Sequence, residues 1–573
     1  MCRHLLPSLH RPGIAVLAIA SLAALACDPT SAVDLAITGV TLVDPASGEV
    51  AEGRTVIVSD GVVRSVLAAD EELPAGVREL VDGSGRYLVP GLWDMHTHLD
   101  SHTDTDLAML VVHGVLNVRD MGGDPFVLAD LKARIAAGEI VGPGIRGAGA
   151  ILEDRQWLRR ARRVFPELEH RLPVDNPEEA RASVALLARW GADLVKVRNL
   201  TDRRTLAGIV GVAREHGLTV GGHEPMIVDI DEAAAIGMTT FEHLPFVSLT
   251  MPGREADEAR LEEATVRLLE SGAYVTPTLI ASRKLGWSRE ERAAAIERPD
   301  ERYAYLPESV RAAWVESLAG DAGPLPWGAM YEASLGMALT MHEAGVPLLA
   351  GTDMGVPLTF PGSSLHDELG YLVDDLGLTP LEALRTATSA PAALFGAAEG
   401  SIAPRLTANL VLLDADPLAD IGNTRSIHAV VLRGELLTRA ELDETLAWVR
   451  EHKDDPPGPA PFERLAASCR DDATPGCLER LADYHFSKND FAAARAGYAE
   501  ALEAGAGDPS REGLFASVLN LVWDESVDCA EVEAPAAGLL AERVGDPGRT
   551  VGLLDRLLPA RGDGCPELLT IGA

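Results

Sequence analysis

The chain has little positive charge for its size. Its 573 residues include 50 lysines and arginines against 87 aspartates and glutamates, which gives a net charge of −37. Such a surface would repel a polyanion and release few counterions, so we expect no nucleic-acid partner. Gly-rich dinucleotide and phosphate-loop fingerprints are absent as well, which argues against nucleotide cofactors. Hydrophobic residues still make up 47%, enough for several packed cores.

Long apolar runs are also lacking, apart from one near the N-terminus. Residues 14–26 are all apolar or small, which is too short for a membrane span but typical of a signal-peptide core. We therefore predict a signal segment over residues 1–27 and an exported protein. The sequence "LAC" ending at Cys27 resembles a bacterial lipoprotein cleavage site. Cys27 would then anchor the protein to a periplasmic or outer-membrane surface by lipid alone; ordinary cleavage before Asp28 is the alternative.

Cysteine is scarce, and its placement is uneven. Of six cysteines, four lie in the last quarter of the chain: Cys469, Cys477, Cys529 and Cys565. An even number in an exported protein predicts disulfides, with three possible pairings. The simplest pairs neighbours, Cys469 with Cys477 and Cys529 with Cys565.

The two ends of the main body are rich in strand-forming residues. Between residues 35 and 66, β-branched runs flank Asp60-Gly61, a strong hairpin signal because glycine accepts positive φ without steric cost. A similar pattern returns at 409–437, with a turn at Arg433-Gly434. We predict one composite β-sandwich formed by residues 34–89 and 401–440.

The region between these ends alternates short apolar runs with helical stretches such as 177–190 and 202–216. Eight short apolar runs end within the segments 93–99, 115–121, 144–151, 193–198, 219–224, 239–244, 274–279 and 346–353. Eight strands with helical crossovers predict an α/β fold, a (β/α)₈ TIM barrel over residues 90–400. The irregular stretch 281–327 is either a lid over the barrel mouth or a passive insertion.

The last part of the chain is predicted to be helical. After Leu437 a helix is predicted to lead into a linker within 441–461, whose Pro-rich part is 454–461, and residues 462–573 indicate an all-α domain. Residues 478–505 resemble one tetratricopeptide (TPR)-like helical hairpin. This domain offers a surface for a protein partner.

The strongest chemical signal is the pair His96 and His98. Residues two apart in a strand face the same side, so both imidazoles would point into the barrel, as ligands of zinc or a similar ion. Further titratable residues end four of the other runs: Lys196, His223, His243 and Asp353. The carboxyl ends of barrel strands meet at one mouth, so these six side chains would converge on a metal site.

Lys196 stands out because the chain has only five lysines among its 50 basic residues. An ammonium buried beside metal ions is costly. A neutral amine can instead take up CO₂ to form an anionic carbamate that bridges two metals, which arginine cannot do. The alternative is an ordinary ion pair of Lys196 with Asp353 or Asp120.

These motifs together resemble the amidohydrolase superfamily, in its imidazolonepropionase-related and prolidase-related branch. The resemblance spans residues 35–437. Its motifs are "PGLWDMHTHL" (90–99), "VRDMGG" (118–123), "GADLVKVR" (191–198), "GGHEP" (221–225), "FEHLP" (241–245), "AGTDMG" (350–355) and "LTPLEALRTATSAPAALFG" (378–396).

The resemblance implies a hydrolase with two divalent metal ions, expected to be zinc. His96, His98 and Asp353 would hold one ion, His223 and His243 the other, with carboxylated Lys196 between them. A hydroxide shared by the metals would attack the carbonyl of an amide, cyclic amide or Xaa-Pro-type peptide. Asp353 would serve as general base and then general acid.

Two alternatives to this function remain. The same site could act as a lactonase or phosphoesterase. The chain could also be a non-catalytic binding or scaffold protein that recruits partners through its helical domain.

Three further residues are candidates for substrate binding or for support of the ligands. Asp120 could support the site or cap a loop. Arg198 could bind a substrate carboxylate, although an outward salt bridge is the favoured interpretation. His366 lies in "SSLHDEL" at a predicted helix start, where a structural role is favoured.

Overall fold

The computed structural model describes residues 33–99, 104–164, 168, 170–226, 228–244, 258–319, 327–455, 460–469 and 474–522. The predicted signal segment with Cys27 lies outside these residues, as do Cys529 and Cys565. In the ranges described, no helix has both the length and the apolar character needed to cross a membrane.

The strands are β1 Val33–Asp44, β2 Glu49–Ser59, β3 Val62–Leu67, β4 Val77–Asp82, β5 Tyr87–Pro90, β6 Leu92–Thr97, β7 Val115–Asp120, β8 Gly144–Gly147, β9 Ile151–Glu153, β10 Arg171–Pro173, β11 Leu194–Arg198, β12 Thr219–Gly222, β13 Thr240–Glu242, β14 Tyr274–Thr276, β15 Leu410–Leu413, β16 Ile427–Leu432 and β17 Glu435–Leu437.

The α-helices are α1 Asp104–Val112, α2 Pro125–Ala136, α3 Arg155–Val164, α4 Pro177–Arg189, α5 Arg203–Glu215, α6 Ile230–Ile236, α7 Glu258–Ser271, α8 Leu279–Leu285, α9 Arg289–Glu297, α10 Glu308–Ala319, α11 Trp327–Glu343, α12 Ser363–Asp374, α13 Pro380–Thr386, α14 Ser389–Phe395, α15 Arg439–His452, α16 Pro461–Cys469, α17 Pro475–Ser487, α18 Phe491–Glu503 and α19 Asp508–Val522. Two 3₁₀ helices cover Glu301–Tyr305 and Ile421–Arg425.

One sheet draws strands from both sides of the barrel segment. Its order is β17-β16-β15-β5-β1-β2-β3, with β4 beside β1. The two parts join where β5 pairs antiparallel with β15, Val89 opposite Val411. The hairpin expected at Asp60-Gly61 connects β2 to β3, and both turn residues have positive φ, 52° and 78°. The two regions predicted to share a β-domain therefore share a sheet.

The barrel is closed by parallel pairing of its remaining strands. Strands β6-β7-β8 form one run and β10-β9-β11-β12-β13-β14 another, with β8 and β9 as two pieces of the third barrel strand. The eighth position is held by residues 346–354, which bridge β14 at Leu348 and β6 at Met354 rather than forming a long strand. Its backbone also bonds both neighbours, Met95 N to Ala350 O and Leu349 N to Val275 O, each 2.9 Å.

The barrel helices begin where the sequence supplies caps. Asn176 accepts from Glu179 N ahead of α4, and Asp202 accepts from Thr205 N ahead of α5, so each satisfies a donor that the helix start would leave unpaired. Their apolar faces pack onto the strands in the main hydrophobic core. This packing fixes the strand ends that carry the candidate site.

The stretch predicted as irregular at 281–327 is largely helical where it is described. It forms α9, a 3₁₀ turn and α10, and its Trp314 and Leu306 pack against Phe360 and Leu358. The helix predicted after Leu437 is α15, Arg439–His452, which packs against α1 and precedes the Pro-rich part of the predicted linker 441–461. The capping box formed by Thr438 and Glu441 favours the start of this helix.

The C-terminal helices α17, α18 and α19 pack against one another, and α19 packs against the barrel helix α4. Tyr498 and Phe486 are fully buried among them. The predicted disulfide between Cys469 and Cys477 is present and ties α16 to the start of α17.

Candidate metal centre

Three histidine side chains at the barrel mouth are held in the same way. Each uses Nδ1 as a donor: His96 to Glu242 Oε2 (3.0 Å), His98 to the Gly122 carbonyl (2.7 Å) and His243 to Thr278 Oγ1 (2.8 Å). Thr278 can accept because its own hydroxyl donates to the Pro277 carbonyl. A ring that donates from Nδ1 keeps the lone pair of Nε2, so all three present a ligand atom.

Asp353 lies between two of these free nitrogens. Its Oδ1 is 3.5 Å from Nε2 of His96 and 3.5 Å from Nε2 of His98. One ligand atom from each of His96, His243 and Asp353 lies within 4.8 Å of the others. Burial would raise the pKa of Asp353, but the surrounding imidazoles hold it below its usual range, so the carboxylate is ionised.

Backbone conformation brings these side chains inward. His243 and Asp353 both have positive φ, 65° and 57°, which is costly for residues with a Cβ and is found mostly at functional sites. Glycine allows the close approach beneath them, since a Cβ at Gly351 would lie 2.9 Å from the backbone N of His96. The glycine of the "AGTD" motif, Gly351, is therefore required for steric reasons.

His223 completes the group of imidazoles. Its ring centroid is 4.8 Å from that of His243, and the His243 centroid is 4.6 Å from that of His96. The preceding Gly222 has φ 143°, and a Cβ there would lie 2.1 Å from the Val197 carbonyl oxygen. Burial lowers the pKa of His223 well below its usual value and that of His243 to about 4. Neutral imidazole is the form that binds metal.

Lys196 lies at the base of this group with only 1% of its surface exposed. Its Nζ is 3.5 Å from Nε2 of His96, and no ion pair joins it to Asp353 or Asp120, the partners of the alternative interpretation. Burial lowers its pKa from 10.5 to about 8, so part of the amine is neutral near physiological pH. All six predicted side chains are thus brought together.

The donors present suit a divalent cation of the zinc type. Imidazole nitrogens and a carboxylate are its usual ligands, and His96, His98 and His243 have the partner on their other nitrogen that metal-bound histidines generally have. Burial lowers the pKa values of His96, His223 and His243, so these imidazoles stay neutral beside the ionised carboxylate of Asp353.

A buried arginine supports the site, and the sequence analysis missed it. Arg119 is fully buried on β7 and donates to Glu242 (2.7 Å), Thr240 (2.9 Å), Thr276 (3.0 Å) and the Met95 carbonyl (2.7 Å). Glu242 in turn holds His96. The sequence signal that could have identified Arg119 is a basic residue within the predicted buried strand "VLNVRD".

Asp94, also missed, fixes the backbone of the first and last barrel strands. Its Oδ1 accepts from His96 N (3.2 Å) and Thr352 N (3.0 Å), and its Oδ2 accepts from the Thr352 hydroxyl (2.6 Å). Thr352 directly precedes Asp353. One buried carboxylate therefore sets the spacing between two ligand-bearing segments.

The three additional candidates have different positions. Asp120 accepts from Leu99 N (2.7 Å) and Gly122 N (3.0 Å), so it shapes the loop whose carbonyl holds His98. His366 lies away from the other site residues, between Thr424 (2.9 Å) and the His113 carbonyl (3.0 Å), in the structural role that was favoured.

The position of Arg198 differs from the favoured prediction of an outward salt bridge. Arg198 lines the cavity beside Lys196 instead of forming that bridge. Residues 196 and 198 share a face of β11, so the side chain that follows the inward lysine by two must also point inward.

The cavity has a volume of about 450 Å³, within the range of small-molecule sites. Its lining includes His98, Lys196, His223, His243 and Asp353, together with Ile151, Leu168, His170, Arg171 and Arg198. A small substrate would therefore contact the candidate ligands directly.

Comparison with known proteins gives consistent matches. The profile described as "Amidohydrolase family" matches residues 87–437. An imidazolonepropionase from Ralstonia nicotianae is 30% identical over 397 residues, 66% of this chain and 91% of that protein.

Solved structures share the fold. A putative prolidase from Bifidobacterium longum matches with a TM-score of 0.57 and 23% identity, over 73% of this chain and 100% of that one. A bottromycin amidohydrolase matches with a TM-score of 0.58 and 26% identity, over 73% of this chain and 90% of that one.

Proposed function

This chain belongs to the amidohydrolase family, and from that premise we propose that it hydrolyses amide-type carbon–nitrogen bonds with two divalent cations, expected to be zinc. The observation that carries the proposal is the common orientation of His96, His98 and His243. Each has Nδ1 engaged by an acceptor and Nε2 left for a ligand, next to an ionised Asp353. Such an arrangement serves no packing purpose.

His96, His98 and Asp353 would hold one cation, and His223 and His243 the other. Bound divalent cations would supply a water of lowered pKa and polarise the scissile carbonyl. Asp353 would take a proton from the attacking water and return it to the leaving nitrogen. The cavity walls would hold the substrate beside it and limit the access of bulk water.

Lys196 would contribute as a carbamate. The lone pair of neutral Nζ attacks the carbon of CO₂, an N–C bond forms, one C–O π pair moves to oxygen, and the nitrogen loses a proton to solvent. The product would be an anion whose oxygens could serve as metal ligands. Its burial, its pKa of about 8 and its lack of an ion pair with Asp353 or Asp120 support this reaction.

The substrate would be a small amide, a cyclic amide or an Xaa-Pro-type dipeptide. The cavity of about 450 Å³ suits molecules of this size. The named activities of the imidazolonepropionase and the putative prolidase, both cleavages of carbon–nitrogen bonds, support the same class.

We also propose export, with Cys27 as a lipid anchor. The support is the apolar run 14–26 followed by "LAC". Labelling of the expressed chain with a fatty-acid probe should be lost in Cys27→Ser, and labelling that persists in this variant would contradict the anchor.

The hydrolase proposal is tested by loading the purified protein with Zn²⁺ and screening N-acyl amino acids, Xaa-Pro dipeptides and cyclic amides. Turnover should require the metal and be lost in His243→Asn, which keeps a polar side chain but removes the imidazole. Arg181→Gln, a change in the exposed ion pair with Glu215, is the matched control. A metal-loaded protein that cleaves no amide, ester or lactone would overturn the proposal.

A further inference from the structure

Two arginines give the cavity a positive wall beside the candidate metal centre. Arg171 and Arg198 both line it, whereas Asp353, a proposed metal ligand, is the single acidic residue among its described lining residues. This local positive charge contrasts with the net charge of −37 for the whole chain. A general excess of basic residues therefore cannot account for it.

Arg198 lacks the partners that a buried guanidinium needs. Its side chain makes no hydrogen bond or ion pair with any residue that the structure describes, and its Nε is buried without an acceptor. Leaving such a group unsatisfied costs free energy, since the lost hydration is not replaced. Burial and the nearby Arg171 accordingly lower the pKa of Arg198, although an arginine stays protonated at neutral pH.

A neighbouring carboxylate, Glu153, is engaged by other residues. Glu153 Oε2 accepts from Arg171 (2.7 Å), and Glu153 Oε1 accepts from Asn199 Nδ2 (2.7 Å). Both oxygens of Glu153 are thus engaged, and neither accepts from Arg198. An anion from outside the chain would satisfy the guanidinium of Arg198.

Building on the proposed function, we propose that Arg198 and Arg171 bind a carboxylate of the substrate, so the enzyme prefers amides of amino acids with a free carboxyl group. The guanidinium fork matches the two oxygens of a carboxylate and aligns it in one orientation. Lys196 and Arg198 lie on the same face of β11, which places the anion beside the reacting centre. The substrate class is that of N-acyl amino acids and dipeptides.

The test compares two amides that differ only in the carboxylate. N-acetyl-L-phenylalanine and N-acetyl-2-phenylethylamine form one such pair, and the leucine and proline analogues extend the set. We expect kcat/KM to favour the carboxylate by about 10- to 100-fold, the range for a charge-assisted contact. Arg198→Gln should reduce kcat/KM at least about tenfold more for the carboxylate than for its uncharged partner, and Arg198→Lys should recover part of the loss. Arg181→Gln is the control.

Failure of this inference is distinguishable from failure of the proposed function. Equal turnover of both amides, or an equal loss on both in Arg198→Gln, would overturn the carboxylate site while leaving the hydrolase intact. If the Zn²⁺-loaded protein cleaves none of the amides, calorimetric titration with N-acetyl-L-phenylalanine still tests whether the cavity binds a carboxylate. Binding lost in Arg198→Gln supports the site, and absence of binding to the wild type overturns it.

A separate observation concerns the wall that carries Arg171. This wall runs from β9 through α3 to β10, and Arg155 stands at the start of α3. Arg155 donates from both terminal nitrogens to Asn520 Oδ1 (3.2 Å each), besides its contacts with Asp175 and Glu179. Asn520 lies on α19, so a side chain of the C-terminal helices contacts the wall directly.

The same helices are fixed to the barrel over a wider surface. The ring of Phe126 on α2 lies 5.4 Å from that of Tyr484, and Trp190, after α4, lies 6.1 Å from Phe486. Arg189 also pairs with Asp483. We infer that the C-terminal helical domain positions the β9–β10 wall, and with it the substrate-binding side of the cavity.

Asn520→Ala tests this role, with Ser517→Ala as its control. Ser517 is equally buried on α19, but its hydroxyl bonds only within the helix, to Gly513. We expect Asn520→Ala to speed amide hydrogen exchange in residues 155–164, 170 and 171 by about tenfold, the effect of one lost charged hydrogen bond, and to raise KM more than it lowers kcat. Exchange and KM matching those of Ser517→Ala would overturn the inference.

Discussion

Replacing Lys196 with methionine tests the chemistry on which the proposed metal site depends. Methionine keeps the approximate length and volume of the side chain but cannot form a carbamate. A bridging anion would be lost, so bound metal should fall from about two ions per chain to about one or fewer. The other five candidate residues would stay in place, because the Lys196 amine makes a single polar contact with the described residues, 3.5 Å from Nε2 of His96.

The loss of activity should be large. Removal of one preorganised electrostatic group at a reacting centre costs about 10²–10³ in rate, and losing a cation as well takes the expected fall beyond that. Metal would be counted by plasma mass spectrometry after dialysis. Incubation with ¹³C-bicarbonate would give a carbamate carbon signal by NMR in the wild type and none in Lys196→Met.

The chain provides a matched control in its other buried lysine. Lys284 is 9% exposed, and its Nζ donates to the Leu358 carbonyl outside the site. Lys284→Met should keep the full metal content and the carbamate signal. An unchanged metal count in Lys196→Met, with the ¹³C signal retained, would refute the reasoning.

Three other results are expected. Arg119→Met should lower the free energy of unfolding by roughly 3–5 kcal/mol, because it leaves the Glu242 carboxylate buried without its cation. Urea unfolding followed by tryptophan fluorescence measures this loss. Adding Glu242→Gln should restore part of the lost stability, and no recovery would argue against the Arg119–Glu242 pair. Asp353→Asn should abolish turnover while some metal remains bound, and activity at the wild-type level would remove Asp353 from proton transfer. Burial lowers the pKa of Lys284 from 10.5 to about 7, so between these values the unfolded chain holds more protons and wild-type stability should rise with pH. Lys284→Met should lack that rise in unfolding experiments from pH 7 to 10, and an identical slope would contradict the shift.

Much of the barrel could be predicted because its signals are local. Short apolar runs with helical stretches between them follow from the periods of strand and helix, and Asp60-Gly61 specified its own turn. The 281–327 region was misjudged because its helices are stabilised by partners distant in sequence, such as the contact of Trp314 with Phe360.

The sequence by itself determined which residue types stand at the ends of the barrel strands. Parallel strands bring those ends to one mouth, so the convergence of His96, His98, Lys196, His223, His243 and Asp353 followed from position alone.

Only the tertiary structure decided what each side chain does there. The Nδ1 acceptors that turn each Nε2 inward, the pairing of Arg119 with Glu242 and the unsatisfied Arg198 all depend on groups from different strands. Contacts between residues 24 to 146 positions apart leave no periodic trace in a single sequence, so packing alone set them.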